Sequence, residues 1–408
     1  MTITRTMTES TDSPRLWITG VGSQYPPSSL GPERLEDFAA RFHDVGKPGL
    51  NKLLKINRCT GIEARPAIHS YETGFSCGLD PPSIKDLDKC YQEHGVNLAT
   101  QACQKALTEW GGCLSDITHT IAVTCTHQGS PGYDVLVNRK LGLDKNENTE
   151  RILLQGVGCA GGVAIMRVAA DVAMSAATRG RPARILAYAC ELCTPNVRHE
   201  LAQAEACTDI SRLSIAGALF SDAAAAFVFC NDEGLLRKTG NGNGNGDDDG
   251  HAQTRPGLPL FEVLEWGNAT IPDTVHHMGM FTEAEGFRTV IGREVTYHTR
   301  KAILPLFQRL CASSSSSSLP CDPASFDWAL HPGGKAIIVG AQEELGLTED
   351  HLRATKEIYR TRGNSSSPSV LAVLDLLRRL GPGRDHVAVT SFGPGLVCEM
   401  ALLRRCRH

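Results

Sequence analysis

Leu153-Leu154-Gln155-Gly156-Val157-Gly158-Cys159-Ala160-Gly161-Gly162-Val163-Ala164 sets a cysteine among small residues, where the apolar run Ile152 to Leu154 gives way to an alanine-rich segment. The pattern predicts a strand, a tight turn and a helix over about Ala160 to Ala177. Glycines permit the turn and leave space above the sulfur, while the unpaired amides and positive end of the following helix favour thiolate over thiol. Cys159 is therefore a candidate nucleophile. A buried structural cysteine beside a helix-packing glycine cluster accounts for the same residues, so a nucleophile needs partners elsewhere in the chain.

The 408 residues, 41% of them hydrophobic, suffice for two domains or one two-lobed unit with a filled core. Lys and Arg number 41 against 45 Asp and Glu. That balance lacks the broad basic field that nucleic acid or an anionic membrane demands, and neither is an expected partner. Fifteen cysteines, an odd number without regular short spacing, do not form a disulfide framework and point to a reducing compartment. Cys190 and Cys193 make a C-x-x-C, but no second pair stands at zinc-finger spacing and Pro195 follows closely, so no metal site is expected. Residues 1–14 read as a disordered polar leader without the hydrophobic core of a signal. No run approaches the roughly 20 apolar residues of a membrane span. A cytoplasmic protein is expected.

Strand and helix alternate outward from Cys159. Strands are predicted at Leu16 to Ile18, Ile117 to Thr126, Ala183 to Ala189 and Ala223 to Cys230, and helices from Pro32 and over Val96 to Trp110. The basic segment Lys52-Leu53-Leu54-Lys55-Ile56-Asn57-Arg58 fits either a solvated helix face or a phosphate-binding patch. Residues 15–236 thus form one α/β half, and 237–257, rich in Gly, Asn and Asp, form a flexible loop. Residues 258–408 repeat the style of the first half, interrupted by a serine run, Ser313 to Ser318, that reads as an exposed loop. The similar order suggests an internal duplication, although no repeat of individual residues is visible.

Two turns in the second half offer partners for Cys159. In Leu330-His331-Pro332-Gly333-Gly334-Lys335 a histidine ends a strand, and in Arg362-Gly363-Asn364-Ser365-Ser366-Ser367-Pro368 an asparagine precedes a helix whose first turn holds the proline. Each alone is also an ordinary turn. Together with Gly158-Cys159-Ala160-Gly161-Gly162 they form a Cys, His, Asn set in which every member sits at a strand end or turn.

With Phe392-Gly393-Pro394-Gly395-Leu396, and in this order and spacing, the chain resembles the type III polyketide synthases, the chalcone synthase superfamily, over roughly residues 16 to 404. Gly22-Ser23-Gln24-Tyr25-Pro26-Pro27 and Asn57-Arg58-Cys59-Thr60-Gly61-Ile62 resemble its fungal branch. The resemblance implies an α/β, thiolase-like fold with two similar halves in a five-layer αβαβα arrangement, and a homodimer. It implies that Cys159 takes an acyl group from an acyl-CoA, that His331 holds its thiolate as an ion pair, and that His331 and Asn364 stabilise the enolate of decarboxylating malonyl-CoA. CoA thioesters are the expected substrates and no cofactor or metal is implied.

Lys52, Lys55 and Arg58 fall where family members bind CoA phosphates. Phe220 matches a gatekeeper phenylalanine, Thr289 stands where plant enzymes have a second one, and Cys193, Ser366 and Pro394 fall at pocket positions. A lost ring at Thr289 implies a wider, more apolar tunnel, suited to a medium- or long-chain fatty acyl starter and an alkylpyrone or alkylresorcinol product. Alternatives are a type III synthase coupling two β-ketoacyl units, a ketoacyl synthase fed by a carrier protein, and an inactive thiolase-fold acyl-binding protein. A thiol hydrolase would be separated from the CoA-fed synthases by malonyl-CoA dependence, since it consumes acyl thioesters without it.

Overall fold

The computed structural model describes residues 14–78, 80–236, 258–314 and 319–408. The expected leader up to residue 13, the loop 237–257 and residues 315–318 of the serine run lie outside the described residues. Up to residue 236 the elements are β1 (Leu16–Gln24), β2 (Ser28–Leu30), α1 (Leu35–Ala40), α2 (Pro48–Cys59), β3 (Arg65–Ala67), α3 (Ile84–Cys90), α4 (Val96–Trp110), β4 (His119–Val123), α5 (Tyr133–Leu141), β5 (Glu150–Leu154), α6 (Gly161–Ala177), β6 (Arg184–Leu192), α7 (Val197–Ala206), α8 (Ala216–Leu219), β7 (Asp222–Asn231) and α9 (Asp232–Leu235). From residue 258 they are β8 (Phe261–Thr270), β9 (Met278–Glu283), β10 (Gly286–Ile291), α10 (Val295–Ser313), β11 (Phe326–Leu330), α11 (Lys335–Glu344), α12 (Arg353–Arg362), α13 (Ser367–Leu377), β12 (His386–Gly393) and β13 (Val397–Arg405).

Nine strands form one mixed sheet in the order β11-β12-β13-β8-β1-β7-β6-β4-β5. The order is symmetric about the β8–β1 seam. In the first half β4 and β6 are parallel, while β6–β7 and β7–β1 are antiparallel. In the second, β11 and β12 are parallel, while β12–β13 and β13–β8 are antiparallel. Four strands therefore recur in the same order and sense, and β5 is the extra strand of the first half. This is the duplication that the alternation of elements suggested, visible in topology although absent from residue identities.

The seam itself is short, pairing only Leu16 to Ile18 with Val263 to Phe261. The halves fold over a shared central layer. Helices α6 and α13 pack against each other and against strands of both halves. Their apolar side chains (Val163, Ile165, Met166, Val370, Leu371, Leu374) merge with Ile121, Ile185, Phe227, Val387 and Val389 into one core. Outside the first half, α4 and α5 cover the opposite sheet face with Leu98, Ala102, Cys103 and Val137; outside the second, α10 and α11 do the same with Ile303, Phe307 and Ile338. The arrangement is the five-layer α/β fold of the thiolase type. Strands covered on both faces read as unbroken apolar runs, and β7, buried along its whole length, is the clearest case.

Helix α6 corrects one expectation. With the turn before it, Gly158–Ala177 is long and apolar enough to cross a membrane. Its apolar surface faces the two sheet halves instead, which explains a hydrophobic run of that length in a core helix. Ser313, expected to begin an exposed loop, instead ends α10.

The central helices meet at their N-termini, and glycines allow the approach. A Cβ on Gly162 would lie 2.4 Å from the carbonyl oxygen of Ser367, and one on Gly161 would lie 2.9 Å from Ser367 Cβ. Gly162→Ala should therefore cost about 1–3 kcal/mol of stability through overpacking. A clear fall in Tm, larger for Gly162→Val, is the expected calorimetric result; an unchanged Tm would mean that the helices have room to part.

Candidate active site

Cys159 stands where β5 gives way to α6. Gly156 (φ 77°) and Gly158 (φ 48°) turn the chain through the left-handed region that glycine tolerates. A Cβ on Gly158 would also strike Pro394, at 2.7 Å from Cδ. Residues 158–160 make a single tight turn that leads into α6, with the sulfur at the helix N-terminus. Its thiol donates to Ser366 Oγ at 3.4 Å. The flanking Gly161 and Gly162 open no space above the sulfur; they are consumed in helix packing, and the space lies on the other side of the turn.

His331 follows the last residue of β11. Its amide donates to the Thr390 carbonyl at 2.8 Å, and Thr355 Oγ1 brackets Leu330, accepting from its amide at 3.1 Å and donating to its carbonyl at 3.0 Å. Asn364 fills the turn between α12 and α13. Gly363, at φ 68°, passes so close to α8 that a Cβ would lie 2.8 Å from the Leu219 carbonyl. The Asn364 amide donates to that carbonyl at 3.0 Å, and the Ser221 amide donates to the Asn364 carbonyl at 2.9 Å. Phe220 is thus stitched to the asparagine turn. The Asn364 side chain donates from Nδ2 to the Gly333 carbonyl at 3.3 Å, reaching the histidine turn, and accepts at Oδ1 from the Ser366 amide at 2.8 Å. Ser366 takes φ 59°, a left-handed conformation for a residue with a Cβ, held by that bond and by the helix that starts after it.

Cys159, His331 and Asn364 line one cavity, of about 950 Å³ including its open mouth, together with Phe220, Thr289, Cys193, Ser366 and Pro394. The structure thus gathers around one cavity the eight residues that the sequence singled out for it. Burial pushes the Cys159 thiol up to about 11, an effect that the Ser366 hydrogen bond partly opposes. Burial likewise drives His331 down to about 3. Its Nδ1 is buried with no hydrogen-bond partner among the described residues, so no carboxylate orients the imidazole. Burial thus opposes charge on either group taken singly.

Beneath the cysteine, sequence reasoning missed Glu191. This fully buried carboxylate at the end of β6 accepts from Ser367 Oγ at 2.5 Å, Thr126 Oγ1 at 2.7 Å, the Thr126 amide at 3.0 Å, and the Cys125 amide and Thr124 Oγ1 at 3.1 Å. Burial raises its pKa and these donors oppose the rise. It fastens the first residue of α13 to the loop after β4, which fixes the Asn364–Ser366 turn over the sulfur. An acidic residue closing an otherwise apolar strand was its signal. Also missed were Glu200 and the hairpin β9–β10, whose Met278, Met280 and Ile291 form a cavity wall.

An outer funnel of about 1450 Å³ meets the inner cavity at Ile291, Gly333 and Ile337. Lys52 lines it, with Arg293 and Lys335, neither of which the sequence singled out. Lys55 and Arg58 do not line it. Arg58, further round α2, pairs with Glu36, so the structure does not gather the three expected residues; the basic side chains of the funnel come from α2, the loop before α10, and α11. Cys190 and Cys193 part company, Cys190 donating to the Gly95 carbonyl inside the core and Cys193 facing the cavity. All 15 cysteines are free. Apart from the site, His69, Cys90 and His94 bring possible metal-ligand atoms within 4.8 Å of one another.

A five-layer thiolase-like fold with cysteine, histidine and asparagine in the wall of a cavity reached through a basic funnel defines an acyl-transferring enzyme. Residues 76–233 match the N-terminal domain of the chalcone and stilbene synthases and residues 266–407 match their C-terminal domain. The chain is 56% identical over 405 residues to the type III polyketide synthase pspB of Penicillium soppii, covering 96% of this chain and 97% of that protein. It is 34% identical to the acylalkylpyrone synthase csyB of Aspergillus oryzae over 98% of this chain and 96% of the relative. Among solved structures, a fungal type III polyketide synthase, ORAS, superposes with TM-score 0.86 at 36% identity, over 96% of this chain and all of the other. CsyB complexed with CoA-SH does so with TM-score 0.86 at 33% identity, over the same shares. The protein belongs to the chalcone and stilbene synthase family and is a type III polyketide synthase of the fungal kind.

The role of Glu191 is open to a direct test. Glu191→Leu leaves two amides and three hydroxyls without their acceptor, each buried orphan costing about 1–3 kcal/mol. A marked drop in Tm is expected, with a smaller one for Glu191→Gln, which keeps an acceptor oxygen. Equal Tm values for the two variants would show that packing, and not these hydrogen bonds, holds the loop.

Proposed function

We propose that this synthase joins malonyl-CoA to an acyl-CoA starter, a medium- or long-chain fatty acyl group, by decarboxylative Claisen condensation through an acyl-Cys159 intermediate. The observation that carries the reading is the convergence of Cys159, His331 and Asn364, from three separate turns, on one largely apolar cavity behind a basic funnel.

Ionising Cys159 or His331 alone would leave an isolated charge in the cavity. Moving the thiol proton to the imidazole creates both charges together, and their attraction offsets the loss of solvation. The thiolate then attacks the starter thioester, a Cys159–acyl bond forms, and CoA leaves as a thiol with the proton from His331. His331 is neutral again. Malonyl-CoA next loses carbon dioxide, and the electron pair left on carbon becomes an enolate whose oxygen accepts hydrogen bonds from His331 and Asn364 Nδ2. The enolate carbon attacks the acyl-Cys159 carbonyl, the carbon–sulfur bond breaks to leave the extended chain on CoA, and the cysteine thiolate takes up one proton from solvent before the next round. Two such donors suffice for the enolate, so the proposal includes no cofactor or metal.

The phosphates of CoA would sit among Lys52, Arg293 and Lys335, with the thioester reaching inward past Ile337. A relative named acylalkylpyrone synthase supports a pyrone as the product here. A name that sets both an acyl and an alkyl group on one pyrone also favours a second reading, in which two β-ketoacyl units are coupled. We read the protein as a homodimer of the cytoplasm, where 15 free cysteines would stay reduced.

Incubation with malonyl-CoA and a ladder of acyl-CoA starters should give products rising by two-carbon units, and none from Cys159→Ala. Asn364→Ala should retain acylation of Cys159 by intact mass but lose malonyl-CoA decarboxylation by roughly 10²-fold or more. Absence of condensation with every starter would overturn the reading. Lys52→Ala, Arg293→Ala and Lys335→Ala should each raise the KM for CoA thioesters, whereas Arg58→Ala should not; the reverse order would move the phosphate site round α2.

A further inference from the structure

Glu200 of α7 stands in the wall of the inner cavity among uncharged donors. Its carboxylate oxygens accept from Asn196 Nδ2 and Ser214 Oγ, each at 3.2 Å. Thr289 of β10 lines the same cavity wall, and its hydroxyl is near enough to oppose the rise in the carboxyl's pKa. The two distances are long for an ionised acceptor, which ordinarily draws its donors in to about 2.7–2.9 Å. Asn196 is not free to approach. Its side chain is clamped to the backbone of Phe287, Nδ2 donating to the carbonyl at 2.7 Å and Oδ1 accepting from the amide at 2.9 Å.

Among the described residues no cation pairs with or hydrogen-bonds the carboxyl. Gly217 of α8 contributes only backbone, a Cβ there falling 3.2 Å from Glu200 Cβ. Arg65, in the same cavity wall, directs Nη1 to the carbonyls of Gly217 and Phe220. On α7 itself, Arg198 stacks over Phe42 and His199 faces Glu283. Lys52 of α2 belongs to the outer funnel. Desolvation therefore pushes the Glu200 carboxyl up to about 7, and the three polar neighbours only moderate the rise. Near neutral pH a large share of molecules carries a carboxylic acid here, a group able to donate as well as accept.

We propose that Glu200, framed by Asn196, Ser214 and Thr289, is a hydrogen-bonding subsite for a ketone or enol oxygen of the growing polyketide, and that it sets how far the chain is extended before release. The inference rests on the synthase reading above. A β-ketone chain carries an acceptor oxygen on alternate carbons, so each extension brings a new oxygen into the cavity, and a neutral Glu200 holds it by donating its O–H. Ionised Glu200 repels the same oxygen, and the chain then leaves early. No covalent bond is made or broken at the residue. Thr289 gains a second function from this geometry: its hydroxyl orients the carboxyl, where a larger ring would exclude it.

The test uses the full-length wild type, Glu200→Gln and Glu200→Leu with malonyl-CoA and dodecanoyl-CoA, from about pH 6 to about pH 8.5, spanning the titration of the carboxyl. The readout is the ratio of the most extended to the least extended product by mass spectrometry. One neutral hydrogen bond corresponds to a ratio change of about fivefold. The wild-type ratio should fall by that factor as pH rises through about 7. Glu200→Gln, whose amide donates at every pH, should hold the low-pH ratio throughout; Glu200→Leu should hold the high-pH one. A pH-independent wild-type ratio, or a Leu variant matching the wild type at each pH, overturns the subsite. Should the Leu variant not fold, the wild-type series against Glu200→Gln decides the matter alone. Failure of the wild type to make any polyketide sinks the synthase reading and the subsite together, whereas polyketide formed in an unmoving ratio sinks only the subsite.

Discussion

Two helix N-termini, those of α6 and α13, are pressed together more closely than any side chain at Gly162 would permit, and Glu191 locks one of them to the loop after β4. Most of the site follows from that contact. Cys159 heads α6, and Ser366 and Asn364 precede α13, so the distance between nucleophile and asparagine is set by how near the two helices can come. The carboxylate of Glu191 cannot move without abandoning five buried donors, which makes it a fixed point about which the turn is built. Strain at Ser366 is tolerated because the surrounding bonds over-determine its backbone.

The duplicated topology explains why such a site lies between the halves. Each half contributes one central helix, and each helix starts at the same end of the shared layer. The nucleophile comes from one half and the histidine and asparagine from the other. Neither half holds the set by itself. Burial opposes charge on both Cys159 and His331, while Lys52, Arg293 and Lys335 line the funnel outside. On the proposed reading, a thioester passing from funnel to cavity would go from a basic surface that suits phosphates to a largely apolar interior.

Thr289 shows how much its neighbours add to the reading of a residue. Substituting a threonine for a ring suggests a broader apolar tunnel. The structure sets Glu200 in the same cavity wall, so a carboxyl and a hydroxyl stand together in an otherwise largely apolar lining. The hairpin that carries it was invisible in the sequence, because β9 and β10 are only partly buried and lack the strict alternation of a half-covered strand. Helix α12 was missed for a related reason. Its buried face is only Ala354, Thr355, Ile358 and Tyr359, and lysine and arginines occupy much of the remainder. By contrast, α4 was legible to the residue, since its buried positions recur at helical spacing over its whole length.

Sequence alone determined the layered α/β class, the turns bearing Cys159, His331 and Asn364, and five further residues of the cavity wall, Phe220, Thr289, Cys193, Ser366 and Pro394. Those features depend on local chemistry: glycines where φ is positive, apolar runs where both faces are covered, and reactive residue types at strand ends. Tertiary structure alone decided that Glu191 is buried against the loop after β4 and Glu200 stands in the cavity wall, that Lys52 is joined by Arg293 and Lys335 while Arg58 pairs with Glu36, and that burial opposes charge on the cysteine and the histidine. Each of these depends on which surfaces from distant parts of the chain meet, and on how much water that meeting excludes. Burial and solvation belong to the assembled fold, and no short stretch of residues carries them.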